Sequence, residues 1–291
     1  WPPEPAAVSR RQLRLLGVDI DLSWSDPVLR VVGEDLYADA DVGAVGGTGL
    51  HLRRSANGYV LDVEGDSAPE RGTLGELFQD AEMEITEVIL DHLRHRYLPL
   101  HAAAVGRRDR GLLAIGAHDA GKTSLACSLA RSGFALLSDE IAPVRPADLT
   151  VFPFPRDLIL HDGTCRNLTG LPPSPEFKCF PGYRYLPPTA VSAGPSPTAV
   201  PVGALLFPQR GEGLPVELST IGPAASAQIL LEQSFDLAGV GGAQAIDCAA
   251  RLAQLPAARI TFADAADAVG PVWRWWEEAT ERSEVESGVV R

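Results

Sequence analysis

Residues 116–124, Gly-Ala-His-Asp-Ala-Gly-Lys-Thr-Ser, follow the apolar run Gly111 to Ile115 and precede Leu125, Ala126, Leu129 and Ala130, which are spaced as on one face of a helix. A glycine-framed loop between a strand and a helix restricts the fold more than any other stretch of this chain. The backbone must turn sharply there, and the helix must begin with unpaired N–H groups facing the loop. Gly116, Gly121, Lys122 and Thr123 fit the pattern G-x-x-x-x-G-K-[ST]. In that pattern backbone N–H groups surround phosphates, the lysine reaches the β and γ oxygens, and the hydroxyl binds magnesium. The whole loop, Gly116, Ala117, His118, Asp119, Ala120, Gly121, Lys122, Thr123 and Ser124, is therefore read as nucleotide-binding. Asp119 would repel a triphosphate, so it must point outward; an aspartate also tolerates a left-handed backbone.

The remainder of the chain reads as two parts. Residues 11–65 hold short alternating runs, including "VLRVVG", "LHLRRS" and "YVLDVEG", the last two joined by Ala56-Asn57-Gly58, a hairpin signal. Thr73 and Glu76 form a capping-box pattern at the head of a helix that carries Leu74, Leu77, Phe78, Ala81, Ile85, Val88 and Leu93. Residues 1–96 are thus expected to be a small β-rich module ending in a linking helix. From Leu98 the texture becomes strand, loop, helix, strand, which implies an α/β domain over 97–291. The helix after the loop should stop at Gly133. Residues 143–201 are proline-rich and aperiodic, and are expected to be a functional or mobile surface segment, a candidate lid. "GALLF" and "ARITF" read as strands, and 224–235 and 264–284 as helices, with Trp273, Trp275 and Trp276 as core or interface anchors.

Composition narrows the function. A net charge of −13 excludes a general polyanion binder, since nucleic-acid affinity needs a basic face. No apolar stretch reaches the roughly 18 residues that span a bilayer. The opening "WPPEPAAVSRRQ" lacks the basic-then-apolar order of a signal peptide, so the expected location is the cytoplasm, with no membrane partner. Cys127, Cys165, Cys179 and Cys248 have no Cys-x-x-Cys spacing and are expected to be buried, reduced thiols. Only Lys122 and Lys178 among 25 basic residues are lysine. Where arginine is written almost everywhere, a lysine marks a place for a compact ammonium.

One helix after the loop, the apolar run "FALLSDE" ends in Ser138, Asp139 and Glu140. Ligands of open α/β sheets sit at such strand ends, where a carboxylate can hold magnesium or accept a proton from an attacking hydroxyl. Transfer of a phosphoryl group also needs positive charge on its oxygens, for which Lys178, Arg184 and Arg156 are candidates.

Four stretches, "LPLHAAAV", "GAHDAGKTS", "SGFALLSDEIAPV" and "VFPFPRDLIL", resemble in order and spacing the HPr kinase/phosphorylase family and its relatives, which share a nucleotide-binding fold with phosphoenolpyruvate carboxykinase. The resemblance covers about Leu98 to Leu160 and is closer to HPr-kinase-related proteins of bacterial gene clusters, some of which phosphorylate biosynthetic precursor peptides. It implies an α/β P-loop kinase domain of that type, ATP and Mg2+ as cofactors, Asp139 as general base, His101 orienting it, and Lys122 as a catalytic cation; Lys178, singled out by the scarcity of lysine, is read as a second catalytic cation. The resemblance also implies Thr123, Asp139 and Glu140 as metal ligands; Arg184, in the candidate lid, is read as a nucleotide contact from its charge. Glu140 departs from the family's second aspartate, and His118 and Asp119 stand where its loop carries small residues. The expected activity is transfer of the γ-phosphoryl group to a hydroxyl, that of a serine in a peptide or small protein. A kinase of the same fold acting on a small-molecule hydroxyl and a non-catalytic nucleotide-binding regulatory module are the alternatives. Self-association is left open.

Overall fold

The computed structural model describes residues 8–38, 40–154, 156–192, 198–235, 238–239 and 241–286. The chain is mixed α/β and divides into two units. Trp1–His92, Pro155–Asp162 and Pro172–Pro187 make the first; Leu93–Phe154, Gly163–Leu171 and Pro188–Arg291 make the second.

In the first unit, β1 (Ser9–Leu15) and β2 (Val18–Trp24) alternate, and Val18, Ile20, Leu22 and Trp24 fall on the buried side. The run "VLRVVG", expected as a strand from its β-branched content, is helical instead. Asp26 accepts from the Val28 N–H at 2.8 Å, Pro27 fixes the first helical position, and α1 (Arg30–Asp35) follows. Leu29, Val32 and Leu36 are buried at helical spacing, so cap and periodicity outweigh strand propensity. Gly33 is required by close packing, since a Cβ there would come within 2.3 Å of the Trp24 ring. With β3 (Asp41–Val42), β4 (Thr48–Arg54), β5 (Tyr59–Val63) and β6 (Asp66–Ser67) the strands form a six-stranded sheet, ordered β3-β1-β2-β4-β5-β6. β4 and β5 are the expected hairpin, with Arg54 opposite Tyr59. α2 (Leu74–Leu93) begins at the expected box: the Glu76 N–H donates to Thr73 Oγ1 at 3.2 Å and the Thr73 N–H to Glu76 Oε2 at 3.0 Å.

The second unit begins with β7 (Leu98–Arg107), β8 (Arg110–Ile115), α3 (Lys122–Arg131), β9 (Ala135–Ser138), β10 (Ile141–Arg145) and β11 (Thr150–Val151). α3 ends before Gly133, which adopts a φ of 112°. The described part of the proline-rich region, outside which 155 and 193–197 lie, is built rather than aperiodic. It contributes β12 (Leu158–His161), α4 (Asp162–Asn167), β13 (Cys179–Phe180) and β14 (Tyr183–Leu186), and the strands make a three-stranded sheet, β12-β14-β13. Leu158, Leu160, Tyr185 and Leu186 are buried, and residues 172–187 belong to the first unit. Hydrophobic side chains between the prolines supply burial that a surface segment would lack.

β15 (Val200–Arg210) and β17 (Ala257–Phe262) are strands, as "GALLF" and "ARITF" suggested, joined by β16 (Glu217–Thr220), α5 (Pro223–Glu232) and α6 (Gly242–Leu252). α6 carries no signal in the reading above, although Ala245, Cys248, Ala249 and Leu252 bury one of its faces. α7 (Ala265–Glu286) closes the unit. Its Trp276 is buried, and the Trp273 Nε1–H donates to Ser132 Oγ at 2.8 Å while the Arg107 guanidinium lies 3.6 Å from the Trp273 ring centre. The large sheet runs β11-β10-β7-β8-β15-β17-β16, with β9 on β7. β15 is parallel to both β8 and β17, and β7 is antiparallel to β8, β9 and β10. Of the four cysteines, Cys127 and Cys248 are buried, Cys165 is half-buried and Cys179 is exposed; none is in a disulfide. The expectation of four buried thiols therefore fails at Cys165 and Cys179. No described helix is long and apolar enough to cross a membrane.

Candidate functional site

Sheet register in the second unit assembles the site. β7 lies between β8 on one edge and β9 followed by β10 on the other. Because β7 opposes both β8 and β9, those two strands run the same way, and they end within two residues of each other along β7. Ile115, the last residue of β8, faces Ala102; Ser138, the last of β9, faces Ala104; Ile141, the first of β10, faces His101. The loop after Ile115, the acids after Ser138 and His101 are thus brought to one end of the sheet. The Ala102 N–H donates to the Glu140 carbonyl at 3.0 Å, and the His101 N–H to that of Gln233 at 2.7 Å.

The loop is wound around its lysine. Lys122 is 6% exposed, and its Nζ donates to the carbonyl oxygens of Gly116 and Ala117, each at 2.9 Å. Asp119 and Gly121 have φ of 61° and 90°. The left-handed geometry that aspartate tolerates is therefore the one Asp119 adopts. Its side chain points into solvent, 83% exposed, beside an equally exposed His118 whose Nε2 is 3.5 Å from Asp119 Oδ1. Gly121 has no room for a side chain: a Cβ would come 2.8 Å from Phe262 Cζ and 3.1 Å from Arg210 Cβ. The Ala120 N–H donates to the Ala117 carbonyl at 3.3 Å. Thr123 is half-buried on the first turn of α3, and Ser124 Oγ hydrogen-bonds Thr164 Oγ1 of α4 at 2.8 Å.

Electrostatics show which groups share the space. Burial pushes the Lys122 ammonium below its ordinary pKa, and the charges of Glu140, Asp139 and Asp119 act against that. His101, half-buried, is lowered chiefly by burial and then by the Lys122 charge, with Glu140 opposing. Its ring centre lies 5.6 Å from that of Phe235. Asp139 is 4% exposed and its charge also reaches Cys127, whose thiol is pushed up mainly by burial. Lys122, Asp139, Glu140 and His101 therefore form one electrostatically coupled group. Among the described residues no cluster of three or more His, Cys, Asp or Glu stands ready to hold a metal.

Lys178, Arg184 and Arg156 belong to the first unit. Lys178 is 1% exposed and its Nζ is paired with Asp157 and Asp35, 5.2 Å from the Phe78 ring centre. The scarcity of lysine marks an internal ion pair at this position, not a cation waiting for a phosphate. Arg156 pairs through Nε with Glu82 at 3.0 Å, and Arg184 sits in β14 opposite Leu160.

The residues that sequence reasoning missed are Arg210, Arg166 and Thr164. Arg210 ends β15, the parallel neighbour of β8, and its backbone N–H donates to the Ala120 carbonyl at 3.1 Å. The signal was present: "GALLFPQRG" ends on polar residues and glycine as "FALLSDE" ends on its acids.

No family model matches this sequence, and neither does any curated protein. Among solved structures, it is similar to the Hpr(Ser) kinase/phosphatase from Coxiella burnetii, at 14% identity over 65% of this chain and 98% of that one, with a TM-score of 0.32. A likeness at that level defines neither fold nor activity.

Proposed function

We propose that the second unit binds ATP with magnesium on the loop 116–124 and transfers the γ-phosphoryl group to a hydroxyl. The observation that carries this reading is the convergence of a loop-bound lysine with two carboxylates and a histidine at the ends of β7, β8 and β9. In this reading the Lys122 ammonium exchanges its carbonyl partners for β and γ oxygens. The acceptor oxygen bonds to the γ-phosphorus while the bond to the β–γ bridging oxygen breaks, and its proton passes to an Asp139 carboxylate oxygen. ADP departs. His101, kept neutral by burial and by Lys122, orients Asp139 and adds no positive charge next to it. The charges of Asp139 and Glu140 both act on Lys122, which supports a role for them beside a phosphate-bound magnesium, and Thr123 stands on the first turn of α3. Thr123, Asp139 and Glu140 would hold that ion together with phosphate oxygens, which suits magnesium's habit of using few protein ligands. When bound, it neutralises phosphate charge.

The acceptor, a serine of a peptide or small protein, rests on the resemblance of residues 98–160 to HPr kinase relatives. Labelling from [γ-32P]ATP, with a panel of serine-containing peptides and small proteins, tests the reading. Wild type should transfer label, Lys122→Ala should neither bind nor transfer, and Asp139→Asn should bind ATP without transferring. Unchanged transfer by Asp139→Asn, or ATP binding indifferent to Lys122→Ala, sinks it.

A further inference from the structure

β15 runs beside β8, with Leu206 opposite Ala114, so its last residues pass along the loop. A Cβ on Gly116 would lie 3.5 Å from the Pro208 carbonyl, and the Arg210 N–H donates to the Ala120 carbonyl at 3.1 Å. The Arg210 backbone thus holds the second half of the loop, next to Gly121. Its guanidinium Nε donates to the Ala263 carbonyl at 3.4 Å, which turns the side chain along the loop's flank. A Cβ built on Gly163, at the start of α4, would be 3.9 Å from Arg210 Nη2 and 3.8 Å from Arg166 Nη2. Two guanidinium groups therefore approach one point, beside the Ser124–Thr164 hydrogen bond. Among the described residues neither is in an ion pair, and both arginines are exposed. Two exposed guanidinium groups on one flank of the loop present charge-assisted donors to an anion bound there.

The loop itself says which phosphate that is. Its γ end is where Lys122 meets the Gly116 and Ala117 carbonyls and the charges of Asp139 and Glu140. Backbone N–H groups of such loops take the α- and β-phosphates, and Ala120 and Gly121, the loop residues that Arg210 adjoins, belong to that backbone cradle. We infer that Arg210 and Arg166 form a second, cationic half of the nucleotide site that grips the α- and β-phosphates. This rests on the nucleotide reading above and adds the division of labour within it. Arginine's planar fork can engage two phosphate oxygens at once, so these residues set affinity for the diphosphate portion and leave the transfer step to Lys122, Asp139 and His101.

Calorimetric titration of ADP and ATP into wild type, Arg210→Gln, Arg166→Gln and the double variant, together with steady-state kinetics, tests this. Each single change should weaken ADP and ATP alike, by roughly tenfold for one lost charge-assisted contact, with the ATP-to-ADP affinity ratio and kcat unchanged. KM for ATP should rise in step, and Arg210→Lys should recover part of the loss. Because both side chains are exposed, melting temperatures should stay at the wild-type value. ADP affinity untouched in the double variant overturns the inference, as does a fall in kcat at constant KM. Wild type that binds neither nucleotide overturns instead the reading of the loop on which it rests, so the two failures are distinct.

Discussion

Lys122 donates through Nζ to the carbonyl oxygen of Gly116 at 2.9 Å, six residues back along the chain, and so closes the loop on itself. The ammonium is nearly buried and is held to two carbonyls, a geometry that suits a compact point charge with three donors. A guanidinium is wider and planar. Lys122→Arg, although it keeps the charge and matches the rest of this arginine-rich chain, should lower ATP affinity at least tenfold by equilibrium dialysis. Affinity equal to wild type would show that charge alone is required there.

Gly121 combines a φ of 90° with a would-be Cβ contact of 2.8 Å to Phe262. Gly121→Ala therefore incurs left-handed strain of about 1–2 kcal/mol and overpacking of a further 1–3 kcal/mol. Gly213, with a φ of 70° and nothing within 4 Å of its would-be Cβ, isolates the first cost. In urea unfolding, Gly121→Ala should lose about 2–5 kcal/mol and Gly213→Ala about 1–2 kcal/mol. Equal losses would mean that Phe262 and Arg210 yield without cost.

His101 should be neutral at pH 7. Its pKa lies below the ordinary histidine value because burial and the Lys122 charge disfavour imidazolium. In the window between the lowered folded value and 6.5, the unfolded chain binds more protons. The histidine's contribution to stability is thus full above about pH 6.5 and is lost as pH falls through that window. An NMR titration of the imidazole Cε1–H should give a midpoint below 6.5, and Lys122→Met should move it upward. No movement in Lys122→Met would separate the two groups.

The legible parts of the sequence were those whose signal is local. Gly121 and Lys122 announce the loop by spacing, Thr73 and Glu76 announce a helix start by reciprocal capping, and Asn57-Gly58 a hairpin. Where partners come from distant segments, spacing was silent. The run 28–33 has strand composition, and only the Asp26 cap and burial of Leu29 and Val32 turn it into helix. α6 was overlooked because alanines carry its buried face. Lys178 looked like a second phosphate ligand because its carboxylate partners lie 21 residues before it, at Asp157, and in α1, at Asp35. Arg210 marks a polar strand end in "GALLFPQRG", but that this end adjoins the loop follows from sheet order, with β15 beside β8.

The Lys178 cluster yields the last prediction. Burial pushes the Asp157 carboxyl up to about 6, although Lys178 pulls it down. Between the ordinary carboxylate value of about 3.9 and 6, the folded chain binds the additional proton, so this group's contribution to stability declines as pH rises through that window. The decline is about 3 kcal/mol at 1.36 kcal/mol per pKa unit. Asp157→Asn removes the titration, so the difference in unfolding free energy between wild type and variant should change in that direction between pH 4.5 and pH 6.5. Lys178→Met leaves the buried Asp157 and the partly exposed Asp35 without their cation and should cost about 3–5 kcal/mol at pH 7, the range for breaking a buried pair. At pH 5 the cost should shrink, because Asp157 protonates and the repulsion is relieved. A Lys178→Met loss that is the same at both pH values would show that its packing against Phe78, and not its charge, is what the first unit requires.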